Sequence, residues 1–267
     1  MKSFKQFITE EEEEEEEIII PKVHMWAALL SGDHRQIEAA LFSPNASKEH
    51  IDWAMGHKDL NIVRIVFRSP NVTKEHIDWA MKHRDSDVVT LALKSRHHTK
   101  EHVDLAMKHY SPYVIEEALK SPYHTKEHVD LAMKHSDSDI VMHALESPHH
   151  TKEHIDWAMK HKSLRVVKKA LRSRHHTKEH VDFGMKHSNP YVVAAAIRSP
   201  YHTKEHVDFA IKHDNTRIVE ATLRSPHATK EQISGVIKKW NRTNDNWLAD
   251  EARDVLEDME DEESQEP

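Results

Sequence analysis

Ser121-Pro122-Tyr123-His124-Thr125-Lys126-Glu127-His128-Val129-Asp130-Leu131-Ala132-Met133-Lys134-His135-Ser136-Asp137-Ser138-Asp139-Ile140-Val141-Met142-His143-Ala144-Leu145-Glu146 is one period of a pattern that runs through the chain. Ser43, Ser69, Ser95, Ser121, Ser147, Ser173, Ser199 and Ser225 open eight copies spaced 26 residues apart without insertion. With that serine as position 1, position 5 is Ser47 in the first copy and threonine in the rest, always followed by Lys and Glu. A hydroxyl there is a natural helix N-cap, since its oxygen accepts from an otherwise orphaned N–H, and a glutamate in the first turn complements the helix dipole. Positions 9, 12 and 13, as in Val129, Ala132 and Met133, then form one stripe at 100° per residue, which predicts a helix of about ten residues. Past a polar connector, Ser136 to Ser138, positions 20, 21, 24 and 25 give a second, shorter helix with Ile140, Val141, Ala144 and Leu145 inward. The Ser-Pro pair opening most copies stops it, because proline disfavours αR in the residue before it.

A hairpin this small cannot bury its own apolar face and needs neighbours on both sides. The predicted fold is therefore all-α: an α-solenoid of eight tandem 26-residue helical hairpins over residues 43–240, with capping ends. Residues 18–42 keep the Ala40-Leu41 signature and read as an N-terminal capping partial repeat, and residues 241–260 as a C-terminal capping helix. Residues 1–17, with Glu10 to Glu17 consecutive, are expected to be a disordered acidic arm, and 261–267 a disordered acidic tail.

Val166-Val167-Lys168-Lys169-Ala170-Leu171-Arg172-Ser173, followed by Thr177-Lys178-Glu179-His180-Val181, resembles leucine-rich-repeat-variant units, with HEAT repeats as the looser relative. The resemblance covers roughly residues 43 to 240 and departs from the family in its longer unit and its histidines. It implies a right-handed helical solenoid whose short helix is partly 3₁₀, and no reaction. Met1-Lys2-Ser3-Phe4-Lys5-Gln6-Phe7-Ile8-Thr9-Glu10 resembles the capsid-targeting leader of internal proteins in large tailed phages, which ends in Ile-x-Glu where a prohead protease cuts. That resemblance implies a virion protein with a cleavable leader. Otherwise the expected location is cytoplasmic: the longest aliphatic run is Ile18-Ile19-Ile20, and no secretory segment is evident.

With no cysteine, disulfides and thiolate chemistry are excluded, and four glycines leave no phosphate-cradling loop. The net charge of −8 is uneven. Residues 1–17 and 250–267 hold eighteen acids against three bases, which leaves 35 basic and 28 acidic residues between them. Lysine columns at positions 6 and 14 suggest a phosphate track. Glutamate at position 7 and aspartate at position 10 instead give each lysine an opposite charge within helical reach, as Asp130 has Lys134.

Of 26 histidines, nineteen fall in three columns, at positions 4, 8 and 15. Positions 8 and 15 share a helix flank with the bulky position 11, and that flank is expected to meet the next repeat, with position 15 completing the helix C-terminus. Five copies read His-x-x-Glu-His, the order of an inverted zinc-protease motif. The first histidine precedes the cap and lies outside the helix, so no catalytic residues are assigned and no enzyme is expected. Zn²⁺ or Ni²⁺ held by His124, His128, His150, His154, His176 and His180 is the metal-binding expectation, because neutral imidazole is a common ligand. No other cofactor is expected.

Three function classes follow. A non-enzymatic scaffold that binds a protein is favoured, with specificity in the variable position 3 at Tyr123, His149, His175 and Tyr201. A nucleic-acid-binding solenoid is the alternative, with a histidine-rich metal-binding protein behind it. An enzyme, such as a base-excision activity on a HEAT-like frame, is the third class, and no isolated catalytic constellation departs from the repeat pattern to support it.

Overall fold

The computed structural model describes residues 20–241 and 246–265, and every element among them is helical. The leader-like residues 1–10 and the whole acidic arm 1–17 lie outside the described residues, as do 266–267. The chain divides into two compact units, one ending at Ala106 and one beginning at Met107. Tandem helical hairpins with a capping segment make up each unit, so the expected all-α repeat architecture is present.

The first unit opens with a 3₁₀ turn, Lys22–His24, then α1 (Met25–Leu30) and α2 (His34–Phe42). Gly32, with φ 75°, takes the left-handed turn between them. Repeat helices follow as α3 (Lys48–Met55), α4 (Leu60–Arg68), α5 (Lys74–Ala80), α6 (Ser86–Lys94) and α7 (Lys100–Ala106). The second unit holds α8 (Pro112–Lys120), α9 (Lys126–Ala132), α10 (Ser138–Ala144), α11 (Lys152–Ala158), α12 (Leu164–Ala170), α13 (Lys178–Met185) and α14 (Pro190–Ile197). It ends with α15 (Lys204–Ala210), α16 (Thr216–Leu223), α17 (Lys230–Trp240) and α18 (Trp247–Gln265).

The first helix of most repeats is seven or eight residues long, shorter than expected, because its last turn tightens. After Ala132, Lys134 N–H bonds to the Leu131 carbonyl and His135 N–H to that of Ala132, both three residues back. The second helices, at seven to nine residues, are no shorter than the first. They are α-helical rather than partly 3₁₀. Aspartate or asparagine at position 17 caps several of them: Asp137 accepts from Asp139 N–H at 2.9 Å, and Asn189 from Tyr191 N–H at 2.9 Å.

The apolar positions are buried as the period requires. In the fifth copy Ile155, Ala158, Met159, Val166, Val167, Ala170 and Leu171 are all buried. Second helices pack on their counterparts one repeat away, α10 on α8 and α12, and α14 on α12 and α16. In the first unit α4 lies likewise between α2 and α6. The closing cluster joins Ile233, Val236 and Trp240 of α17 to Leu248, Ala249, Ala252 and Val255 of α18. That last helix runs to Gln265, through most of the segment expected to be a disordered tail. No helix among the described residues is long and apolar enough to cross a membrane.

Candidate functional site

The first helix begins with a capping box whose third residue is histidine instead of the usual glutamate or glutamine. Thr151 donates its N–H to His154 Nδ1 at 2.9 Å, and Thr177 to His180 Nδ1 at 2.9 Å. A nitrogen that accepts an N–H carries no proton, so the proton sits on Nε2. There it meets the position-10 aspartate of the preceding repeat: His154 with Asp130 at 2.6 Å, His180 with Asp156 at 2.7 Å and, in the first unit, His102 with Asp78 at 2.7 Å. The hydrogen bond from histidine holds the Asp78, Asp130 and Asp156 carboxyls below the usual carboxylate range.

Position 4 builds a second ladder with the opposite tautomer. His150 Nδ1 faces the Ser147 carbonyl at 2.5 Å, so it carries the proton and donates. Its Nε2 accepts from the Ser173 hydroxyl of the next repeat at 2.7 Å, and the same contact joins His124 to Ser147 and His176 to Ser199. The repeat-opening serine thus closes each seam, besides ending a helix. Burial pushes the imidazoles of His124 and His150 below their ordinary value, and that of His76 in the position-8 column also.

Position 15 plays a different role from the one expected. Its Nδ1 accepts the N–H of the residue that caps the second helix, as His83 does from Asp85 and His161 from Ser163, both at 3.0 Å. The ring therefore serves a helix N-terminus as an acceptor, and does not donate to a C-terminus. Burial lowers the pKa of His109 and His161.

The six histidines expected to hold a metal are divided between two ladders: His124, His150 and His176 on the serine seam, and His128, His154 and His180 in capping boxes. Among the described residues no group of three or more potential ligands stands together. The His-x-x-Glu-His order therefore marks two structural roles, with the glutamate turned to the cap, as Glu153 accepts from the Thr151 hydroxyl at 2.5 Å.

Position 11, about 200° from the buried position 9, is only partly covered by its neighbours. In the first copy Trp53 packs edge-on against Trp26 of the preceding segment, with centroids 6.3 Å apart. In the second unit Leu131, Trp157, Phe183 and Phe209 are 41–57% exposed, and in the first unit Trp79 and Leu105 are also exposed. A cleft of about 330 Å³ opens beside this column, with Met185 as its floor and Phe209, His206, Asp182 and Lys186 around it. The lysine column at position 6 is neutralised from within its own helix, by Asp78 on Lys74, Asp130 on Lys126 and Asp156 on Lys152. The aspartate thus turns to the lysine four residues before it. Asp130 was expected to pair with Lys134, four residues after it.

Of the position-3 residues proposed for partner binding, Tyr123, His149 and Tyr201 are exposed and His175 is half-buried. His149, His175 and Tyr201 pack edge-on against the position-4 ring of the preceding repeat, with centroids 4.9, 4.8 and 4.9 Å away. They stand at the seams on the connector side, apart from the position-11 column. Compared with protein-family models and with curated proteins, the chain finds no match.

Proposed function

We propose that this chain is a non-enzymatic repeat scaffold that binds another protein through the outward face of its first helices. The observation that carries the reading is the position-11 column, in which a large apolar side chain stays exposed in copy after copy. A solvated helix face has no need of tryptophan, leucine and phenylalanine at a fixed register. Aromatic side chains ringed by polar groups are the usual anchors of protein interfaces. Pairing of the position-6 lysines with aspartates takes that column out of a phosphate track, which needs cations free to release counterions.

The test is capture of a binding partner by the tagged full chain, with and without nuclease at two salt concentrations. A triple variant, Trp157→Ser, Phe183→Ser and Phe209→Ser, is run alongside. The scaffold reading expects one discrete protein that survives nuclease and salt, is lost with the triple variant, and binds the wild-type chain directly once purified. Recovery of nucleic acid, lost on digestion or at high salt, would replace this reading with the nucleic-acid one.

A further inference from the structure

Residues 157–204 contain eleven basic and only two acidic side chains, in a protein whose net charge is −8. The sixth copy, in the middle of this stretch, departs from the repeat pattern three times. Gly184 replaces the alanine of position 12, and a Cβ there would sit 3.0 Å from Ala196 Cβ, so α13 and α14 approach closely. Ala194 and Ala195 occupy the places held by Lys168 and Lys169 one repeat earlier. Arg174 stands where most copies have proline.

A notch of about 400 Å³ lies where α12 and α14 end, with Leu171 and Ala195 in its lining, Tyr201 beside them, and Arg172, Arg174 and Arg198 around it. No acidic side chain lines it. Arg174 is fixed by donating to the Pro148 carbonyl at 2.6 Å and to His175 Nε2 at 3.1 Å. Arg198 has only a 3.9 Å approach to Glu220, and Arg172 forms no ion pair among the described residues. The equivalent notch one repeat on, about 610 Å³, is lined by Arg198 and Arg224 together with Glu220 and Glu251. Arg224 is bound there by Glu251 at 3.0 Å and approached by Asp258 at 3.7 Å. The same architecture thus appears once with its counter-charges and once without them.

We propose that the notch of the sixth repeat is a binding site for a phosphomonoester, whose dianion is forked by Arg172 and Arg198 while its organic part lies on Leu171, Ala195 and Tyr201. Guanidinium groups match phosphate oxygens two at a time, and two or three of them balance a dianion better than a monoanion. The apolar floor favours an ester over inorganic phosphate. The site is independent of the position-11 column, and either can fail without the other.

Calorimetric titration of the full chain at 0.15 M salt with phenyl phosphate tests it, with benzoate, inorganic phosphate and a phosphoserine peptide as parallel arms. Saturable binding of phenyl phosphate is expected, tighter than that of inorganic phosphate or benzoate. Arg172→Gln with Arg198→Gln should weaken it by about tenfold or more, the loss of at least one charge-assisted hydrogen bond. Arg172→Lys, which keeps the charge and loses the fork, should fall between, and Arg224→Gln should change nothing. A phosphoserine peptide that binds more tightly than phenyl phosphate assigns the site to phosphorylated protein, and the reverse order to a small molecule. Equal affinity in the folded double glutamine variant, benzoate as good as phenyl phosphate, or no saturation with any phosphate ester would overturn the proposal.

Discussion

Gln232 occupies, in the last repeat, the place that His206 holds in the one before, and makes the same two bonds. His206 Nδ1 accepts from Thr203 N–H at 3.0 Å and its Nε2 approaches Asp182 at 2.8 Å. Gln232 Oε1 accepts from Thr229 N–H at 2.9 Å and its amide donates to Asp208 at 2.5 Å. A glutamine amide reproduces the acceptor and donor of a neutral, Nε2-protonated imidazole and has no second state. Histidine at position 8 therefore serves as a neutral ring.

His154→Gln should accordingly leave stability within about 0.5 kcal/mol of wild type, as a swap that keeps both bonds does. His154→Ala should cost about 2 kcal/mol, the loss of a cap and of a hydrogen bond to a charged partner. Urea unfolding of the two variants separates them. Equal losses would mean that the ring contributes packing alone.

Ser173→Ala removes the hydroxyl that donates to His150 Nε2 and accepts from His175 N–H. With His150 buried, its acceptor has no replacement, and a loss of about 1–3 kcal/mol is expected by the same measurement.

Acid should loosen the repeats in two stages. His76, His124 and His150 are held below the ordinary imidazole value of 6.5 chiefly by burial. Asp52 and Glu75 oppose the shift at His76 while Lys48 adds to it, the Ser121 carbonyl opposes it at His124 while His149 and His128 add to it, and at His150 the Ser147 carbonyl is opposed by His175, Arg174 and His154. Below about pH 6.5 the unfolded chain binds protons that the native rings refuse, so stability is full above that value and declines as pH falls through it. The carboxyls of Asp78, Asp130 and Asp156, shifted down from 3.8, add a second loss below that value. Thermal unfolding followed from pH 7.5 to 3 should show both declines. A midpoint flat between pH 7 and 5 would contradict the first.

Two glycines predict opposite signs for the same substitution. At Gly235, in α17, an added Cβ meets nothing within 4 Å, and Gly235→Ala should stabilise by about 0.5–1 kcal/mol through helix propensity. At Gly184 it meets Ala196 Cβ at 3.0 Å and Leu171 Cδ1 at 3.2 Å. Ala196 has no rotamer to yield, so overpacking outweighs propensity and a net loss of about 1 kcal/mol is expected. Denaturation midpoints of the two alanine variants give both signs directly.

The hairpins were legible in the sequence because positions 9, 12, 13, 20, 21, 24 and 25 repeat without insertion, and a regular period leaves the core face little freedom. Seam chemistry was less so. Position 8 faces a neighbour, as its place on the flank implies, while position 11, about 60° round the helix from it, stays roughly half exposed in most copies. The partner of the position-8 histidine was visible in an offset: aspartate fills position 10 in copies one to seven, while histidine or glutamine fills position 8 through copy eight, where Ser234 ends the series. A contact in which each copy donates to the one before needs no acceptor in the last. His50, in the first copy, instead lies against the ring of Trp26, with centroids 4.7 Å apart. The notch of the sixth repeat was hidden because Arg172 and Arg174 on one side and Arg198 and Tyr201 on the other are far apart in sequence and meet only in space.

The bonds across each seam of the second unit run between one copy and the next, and the imidazoles that make them work uncharged. Removing residues 147–172 would set His124 against Ser173 and Asp130 against His180, partners of the same kind at the same register. Such an array can gain or lose whole modules by gene duplication or unequal recombination without a mismatched junction, so the length of the molecule is free to drift while its joints stay fixed.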